Sequence, residues 1–171
     1  LFFAPKNFSE TPTLKRSNAF TIVRDECHAV RESVGLLDIS GFSRYEVKGP
    51  NSKEWLQKIF AAQLPAENRI RISPMLSASG RLKGDLTILN WGSDCWWIMG
   101  SYYLRNWHMR WFNDHLIEGI NIRDISDNVI GFSLVGPQSR LVLENLTSQS
   151  VSDDDFPFMS CQTLDIGLIR A

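Results

Sequence analysis

An internal duplication constrains the fold of this 171-residue chain more than any other feature. The first copy runs from Asp38-Ile39-Ser40 to Gly49-Pro50, and the second from Asp124-Ile125-Ser126 to Gly136-Pro137. Glycine permits a sharp turn, and proline suits the first turn of a helix because its missing N–H needs no partner there. Each copy therefore predicts a strand that turns at Gly-Pro into a helix. A tandem duplication explains the match, and chance convergence on a common turn is the alternative.

The first helix is predicted ahead of this duplication. Apolar residues recur at helical spacing from Phe20 onward. Ser17 or Asn18 can cap the beginning of this helix, and Gly35 can end it.

Two later helices also have capping signals. Asn51 precedes an apolar stripe and Glu54 lies three residues on, as in a capping box. Ser101 can cap a helix that extends to His115. Alternating apolar segments predict strands elsewhere, at 45–48, 69–74, 86–90, 95–99, 120–125 and 129–135.

These elements predict an α+β fold in which antiparallel sheets are flanked by helices. A parallel doubly wound sheet would need near-continuous apolar strands followed by glycine-rich phosphate loops, and the sequence contains neither. Residues 1–16, with their prolines and small polar residues, predict a linker or arm. Residues 17–171 then form the domain, with two interleaved subdomains as one arrangement of the duplicated units.

Composition excludes several classes of protein. The net charge of -1 argues against a strongly basic nucleic-acid surface. No apolar run approaches the roughly 18 residues that span a bilayer, so we expect no membrane partner. The apolar run at residues 1–5 is too short for the core of a signal peptide. Because the chain does not begin with Met, we expect it to be a piece of a longer protein.

The three cysteines are Cys27, Cys95 and Cys161. They are odd in number and far apart, so they predict neither a disulfide framework nor a metal knuckle. Reduced thiols indicate a reducing compartment, which is the cytoplasm or, in a eukaryote, the mitochondrial matrix.

Most catalytic motifs are missing from the sequence. It contains no Walker loop and no GxGxxG, which argues against flavin or nucleotide binding by this segment. Ser77 and Ser79 have no nucleophile-elbow setting. His108 and His115 share a helix face, but no carboxylate at useful spacing completes a metal site. We interpret these histidines as core or interface residues and expect no metal.

The segment from Gly80 to Thr87 is more informative. A flexible loop enters a strand at Asp85, which suits either a turn-capping residue or a functional carboxylate. Four basic residues precede Asp85 in the sequence and form a basic group: Arg69, Arg71, Arg81 and Lys83. Such a group could attract an anionic ligand tail, and four solvated surface charges are the alternative.

The chain resembles the folate-binding domain of the glycine-cleavage T-protein family, in particular the branch fused to dimethylglycine and sarcosine dehydrogenases. The matching segments occur in order along the chain: 15–20, 26–40, 45–50, 74–76, 109–112, 136–137 and 156–158. The resemblance covers about the first half of the folate module. The family's pterin-holding Glu would then lie beyond Ala171, and we expect this fragment alone to be inactive.

The resemblance implies a function for Asp85. The family's catalytic Asp is the second of an Asp-Asp-Leu motif, which stands here as Gly84-Asp85-Leu86. A carboxylate can stabilise a cationic iminium and relay the amine proton. By the same alignment, the side chains that line the pterin pocket with Asp85 are Phe42, Thr87, Met99 and Ser101. Phe42 replaces the usual Met, and Ile72 replaces the usual pocket Tyr.

The resemblance also implies tetrahydrofolate as cofactor, with FAD only in an associated flavin dehydrogenase domain. The one-carbon donor would be an iminium derived from an N-methyl amine, or an aminomethyl group on a lipoyl arm. The activity would be tetrahydrofolate-dependent aminomethyl or methylene transfer. The alternatives are a folate-binding module without transfer chemistry and a sulfonium demethylase of the same fold.

Overall fold

A computed structural model describes residues 9–171, which form nine strands and four α-helices. The strands are β1 (Gly35–Asp38), β2 (Phe42–Lys48), β3 (Arg69–Leu76), β4 (Leu82–Asn90), β5 (Cys95–Ser101), β6 (Asn121–Asp124), β7 (Phe132–Val135), β8 (Asp165–Ile166) and β9 (Ile169–Arg170). The helices are α1 (Phe20–Glu32), α2 (Ser52–Ile59), α3 (Arg105–Asp114) and α4 (Ser139–Glu144).

The largest sheet has five antiparallel strands in the order β3-β4-β5-β2-β6. Two smaller antiparallel pairs join β1 with β7 and β8 with β9. The predicted α+β class with antiparallel sheets is therefore confirmed.

The core lies between one face of the five-stranded sheet and the helices α2 and α3. Side chains alternate along a strand, and every second position is buried here. We call this the inner face; it carries Tyr45, Val47, Met75, Leu86, Ile88, Trp96 and Ile98. Trp55 of α2 and Phe112 of α3 pack on it. The opposite positions form the outer face, which includes Phe42, Ile72, Asp85, Thr87, Met99 and Ser101.

The two Gly-Pro junctions have the same local structure. Gly49 has φ 139° and Gly136 has φ 124°, which are conformations that favour glycine. The residue before each helix also matches: Asn51 has φ/ψ of −97°/8° and Gln138 has −97°/6°. The prediction of two equivalent strand-to-helix junctions is confirmed.

The duplicated units exchange strands. The Asp-Ile-Ser strand of the first copy, β1, pairs with β7 of the second, while the corresponding strand of the second copy, β6, pairs with β2 of the first. The registers correspond, because Asp38 opposes Phe132 and Asp124 opposes Tyr45. Reciprocal pairing at matched positions is what a pseudo-two-fold relation between the copies requires.

Both copies also end their Asp-Ile-Ser strand in the same way. The backbone N–H of Ser40 donates to the Asp38 carboxylate at 2.7 Å, and that of Ser126 donates to the Asp124 carboxylate at 2.9 Å. This local hydrogen bond is the turn that Asp favours.

The capping predictions for α1 were wrong. Ala19, and neither Ser17 nor Asn18, directly precedes the helix, and it makes no side-chain capping hydrogen bond. Ser33 follows the last helical residue, and Gly35 is the first residue of β1.

The capping predictions for α2 and α3 were also wrong. Asn51 makes no capping hydrogen bond, and Glu54 instead accepts from Lys58 at 2.7 Å, one turn further on. Ser101 is the last residue of β5, and a 3₁₀ turn over Tyr102–Leu104 separates it from α3.

The predicted arm at 1–16 falls partly outside the described residues, since 1–8 are not among them. Residues 9–16 are exposed and have no helix or strand. Among residues 9–171, none of the helices has the length and apolar character to cross a membrane.

Candidate functional site

The outer face brings together all five side chains that the sequence assigned to a ligand site. One cross-strand row runs over four strands, because Ile72 pairs with Thr87, Thr87 with Met99, and Met99 with Arg44. Ile72 is 58% exposed, so an apolar side chain at the end of this row is open to a ligand.

The neighbouring row contains Asp85 of β4 and the pair Ser101 and Phe42 on β5 and β2. The β4–β5 pairing ends at Thr87 and Met99, so the two strands separate where they carry Asp85 and Ser101. Phe42 is 46% exposed. This row thus combines a carboxylate, a hydroxyl and an open aromatic ring.

The Asp85 carboxylate is exposed, and within residues 9–171 it takes part in no hydrogen bond or ion pair. The turn-capping interpretation of Asp85 requires a hydrogen bond from a nearby backbone N–H, and the structure shows none. Asp85 pairs with Pro74 on β3, and proline has no N–H to donate. Its acceptor capacity is therefore available to a ligand.

A β-bulge turns Lys83, one member of the expected basic group, away from Asp85. The β3–β4 register shifts so that Met75 opposes Gly84 and Leu76 opposes Leu82, which leaves Lys83 as the extra residue. The Lys83 ammonium consequently lies over the rings of Trp107 and Trp111 of α3, 5.8 and 5.4 Å from their centroids.

The arginines expected in that group are also placed elsewhere. Arg71 shares the strand face of Ser73 and Met75, which is the inner one, and donates to the Gln63 carbonyl at 2.9 Å. Arg69 belongs to the same alternation. Arg81 lies in the exposed loop before β4. The interpretation of one basic cluster around Asp85 is wrong, because strand alternation and the bulge place Arg69, Arg71 and Lys83 on the inner side of the sheet and Asp85 on the outer face.

His108 supports the site from behind. It is 1% exposed on α3 and faces the glycines next to Asp85 and Ser101. A Cβ atom built on Gly84 would lie 3.3 Å from its Nε2, and one built on Gly100 would lie 3.0 Å from its Cε1. The two glycines let the imidazole approach the sheet backbone. Its interpretation as a core residue is confirmed, whereas His115 is exposed.

The buried position of the His108 ring disfavours its charged form. Burial lowers the pKa of His108 below its ordinary value. Its Nδ1 lies 3.1 Å from the Tyr45 hydroxyl, while Nε2 is buried without a hydrogen-bond partner among the described residues. Burial raises the pKa of Tyr45 to about 12, so that hydroxyl keeps its proton at neutral pH.

Arg44 is a residue that the sequence analysis did not identify. It shares the outer face with Phe42 by strand alternation, yet it is 3% exposed. Its guanidinium donates to the backbone carbonyls of Ile39, Ser40 and Phe42 at 2.9 to 3.1 Å. No sequence signal distinguishes a buried arginine of this kind from an ordinary surface one.

Other features lie away from these residues. A cleft of about 520 Å³ is lined by Trp91, Arg69 and Cys161 and by the acidic loop with Asp154 and Asp155, and it contains none of the five site residues. Within residues 9–171 no group of His, Cys, Asp or Glu has the arrangement of a metal site.

The chain is similar in sequence and in fold to known proteins. The sequence profile of the GCVT N-terminal domain matches residues 2–171. The chain therefore belongs to this family, the N-terminal domain of glycine-cleavage T-protein-like folate-dependent one-carbon transfer proteins.

Two relatives illustrate the breadth of the family. Human mitochondrial dimethylglycine dehydrogenase is 30% identical over 161 residues, which is 92% of this chain and 19% of that protein. An aminomethyltransferase from Anoxybacillus flavithermus is 26% identical over 139 residues, which is 80% of this chain and 38% of that protein. The chain thus spans about a fifth to two fifths of the length of these relatives.

A solved structure confirms the fold. The glycine cleavage system aminomethyltransferase T from Bartonella henselae superposes with a TM-score of 0.71 at 18% identity, over 81% of this chain and 38% of that one. The predicted T-protein-like fold is therefore present in this chain.

Proposed function

We propose that the outer face binds the pterin ring of tetrahydrofolate and that Asp85 acts in one-carbon transfer to it. The observation that carries this proposal is an unpaired carboxylate next to exposed apolar side chains, on the fold of a T-protein. Residues 17–171 would then be the N-terminal part of a folate-binding aminomethyltransferase-like domain.

The residues of the outer face fit a pterin. A flat heteroaromatic ring needs apolar contact on its faces and hydrogen-bond partners at its edge. Phe42 and Ile72 offer apolar contact at the ends of the two rows. The strands β2 and β4, which carry Phe42 and Asp85, are separated by β5 and hence by about 10 Å. Asp85 can accept two ring N–H groups, and the hydroxyls of Thr87 and Ser101 can donate or accept.

Asp85 would also take part in the reaction. Bound tetrahydrofolate supplies the nitrogen nucleophile that receives the one-carbon unit. The Asp85 carboxylate would stabilise the positive charge on an incoming iminium and accept the proton released at the attacking nitrogen. Because Asp85 has no competing partner among the described residues, nothing has to be broken before it acts.

The donor is proposed to be an iminium derived from an N-methyl amine. The 30% identity with a dimethylglycine dehydrogenase supports this choice over an aminomethyl-lipoyl group. A flavin dehydrogenase domain, with its FAD, would generate the iminium. In a eukaryote the location would be the mitochondrial matrix, a choice supported by the human relative, which is mitochondrial by its name.

A folate-binding module without transfer chemistry is the second candidate, because the contacts that would hold the ring do not depend on catalysis. Calorimetric titration of the intact protein that contains this chain with tetrahydrofolate tests both, and we expect saturable binding. The yield of methylenetetrahydrofolate from an N-methyl amine, measured with the flavin enzyme present, separates them. Binding without any yield would support the second candidate, and the absence of saturable binding would contradict both.

A further inference from the structure

Arg44 occupies the point where the two duplicated copies meet. Its backbone N–H donates to the Ser126 hydroxyl of the second copy at 2.9 Å, and its carbonyl accepts the Ile125 N–H at 2.9 Å. The corresponding residue of the second copy is Gly131. Its N–H donates to the Ser40 hydroxyl at 3.1 Å, and its carbonyl accepts the Ile39 N–H at 2.8 Å.

The side chains at these matched positions differ in a way that the geometry explains. A Cβ atom on Gly131 would overlap the Arg44 Nη2. The glycine in one copy therefore leaves the space that the arginine of the other copy fills. Only one of the two positions can carry a long side chain.

The Arg44 guanidinium has an unusual set of partners. Nη1 donates to the carbonyls of Ser40 at 3.1 Å and Phe42 at 2.9 Å, and Nη2 donates to that of Ile39 at 2.9 Å. In the part of the chain that the structure describes, no ion pair joins it to a carboxylate. The planar fork thus holds the turn that leads into Phe42, since three carbonyls of this turn bind one rigid group.

We propose that Arg44 is a positioning residue of the folate site proposed above, on which this inference depends. By binding the carbonyls of Ile39, Ser40 and Phe42 and resting on Gly131, it fixes the Phe42 ring relative to Asp85. The part of the site that Phe42 contributes then depends on the pairing of the first copy with the second.

A double-mutant cycle tests this role. The affinity of the protein for tetrahydrofolate is measured by calorimetry for Arg44→Met, Phe42→Ala and the double variant. We expect Arg44→Met to weaken binding about tenfold, because three carbonyls lose their donors and the turn relaxes. In the Phe42→Ala background the same change should cost less than about twofold, since the ring that Arg44 positions is already absent. Equal losses in both backgrounds, or no loss, would overturn the proposal.

Two further variants and a control distinguish a positioning role of Arg44 from a general loss of structure. Gly131→Ala displaces the guanidinium without removing its donors and should reproduce the effect of Arg44→Met, while Arg44→Lys should recover part of the affinity. Arg71→Met, on the other sheet face, is the matched control and should bind as the unchanged protein does. Loss of the fold in both Arg44→Met and Gly131→Ala would make Arg44 a general core residue and overturn the positioning role. No saturable binding by the unchanged protein overturns the proposed function and this inference together, whereas binding without coupling overturns only the inference.

Discussion

The Nδ1 atom of His108 lies 3.1 Å from the hydroxyl oxygen of Tyr45, in the core directly behind the strand segments that carry Asp85 and Ser101. The imidazole is nearly inaccessible, and its other ring nitrogen has no partner among the described residues. A cation at this position would be poorly solvated. The candidate site is therefore backed by a buried histidine whose surroundings disfavour protonation.

This arrangement predicts a loss of stability in weak acid. Because burial lowers the pKa of His108 in the folded state, the unfolded chain binds the proton first as pH falls below the ordinary value of 6.5. The contribution of His108 to the free energy of unfolding should be constant above pH 6.5 and should decrease as the pH falls below it. Carboxylates such as Asp124, whose pKa is lowered in spite of its burial by hydrogen bonds from Arg105 and Ser126, lose their contribution only below 3.8.

Urea unfolding between pH 7.5 and 5 measures the effect, because these values lie about 1 unit above and about 1.5 units below the ordinary histidine pKa of 6.5. His108→Gln should unfold more readily at neutral pH but should show a flatter pH dependence. His115→Gln, at an exposed position on the same helix, should keep the dependence of the unchanged protein. An unaltered slope in His108→Gln would assign the acid sensitivity to another group.

The second prediction concerns Asp85. In the intact protein that contains this chain, Asp85→Asn should lower folate-dependent transfer by at least about tenfold, the low end of what a positioned acid–base group contributes. The unfolding temperature should change little, because the carboxylate is exposed and has no partner among residues 9–171. Single-turnover formation of methylenetetrahydrofolate, with the flavin enzyme supplying the iminium, is the measurement. A variant that keeps the full rate would leave Asp85 as a surface residue.

The third prediction concerns Ile72, the exposed apolar side chain at the end of the cross-strand row that also contains Thr87, Met99 and Arg44. Ile72 is 58% exposed, so Ile72→Ser removes little core packing. If a pterin covers the Ile72 side chain, the change to Ser should weaken tetrahydrofolate binding by about tenfold, because less apolar surface is removed from water when the ligand binds. Leu82→Ser is the control, because Leu82 is 65% exposed at the bulged end of β4. Equal effects of the two changes on the calorimetric affinity would place the ligand elsewhere.

The fourth prediction concerns the duplicated junctions. Gly49→Ala and Gly136→Ala should each destabilise the protein by at least about 1–3 kcal/mol, because both positions have a φ that other residues rarely adopt. A Cβ would also press on the Gly119 carbonyl in the first case and on the Ser33 carbonyl in the second. Gly41→Ala, where a Cβ meets nothing within 4 Å, should be nearly neutral. Thermal unfolding of the three variants provides the comparison, and a tolerated Gly136→Ala would contradict the equivalence of the junctions.

The resemblance to the T-protein family supplied the five proposed site residues, because the strands predicted from the pattern alone, at 45–48 and 86–90, contain neither Phe42 nor Asp85. In the structure these strands begin earlier, at Phe42 and Leu82, and strand alternation then places Phe42, Asp85 and Thr87 on the outer face. Alternation is a local property, so the face of each residue follows once the bounds of a regular strand are known. The same reasoning failed for Lys83, because a single extra residue in a bulge reverses the face and nothing in the local pattern announces it.

What the sequence determined by itself was therefore the set of strand–turn–helix units and the alternation within them. Glycine conformation, the missing proline N–H and side-chain period are properties of a few adjacent residues. Only the tertiary structure decided that the two copies exchange their Asp-Ile-Ser strands and that Arg44 is buried against Gly131 of the other copy. Those contacts join residues more than seventy positions apart. They depend on which strand edges meet after the chain has folded. Every strand edge offers the same backbone hydrogen-bonding groups, so the sequence of one strand does not specify which strand it pairs with.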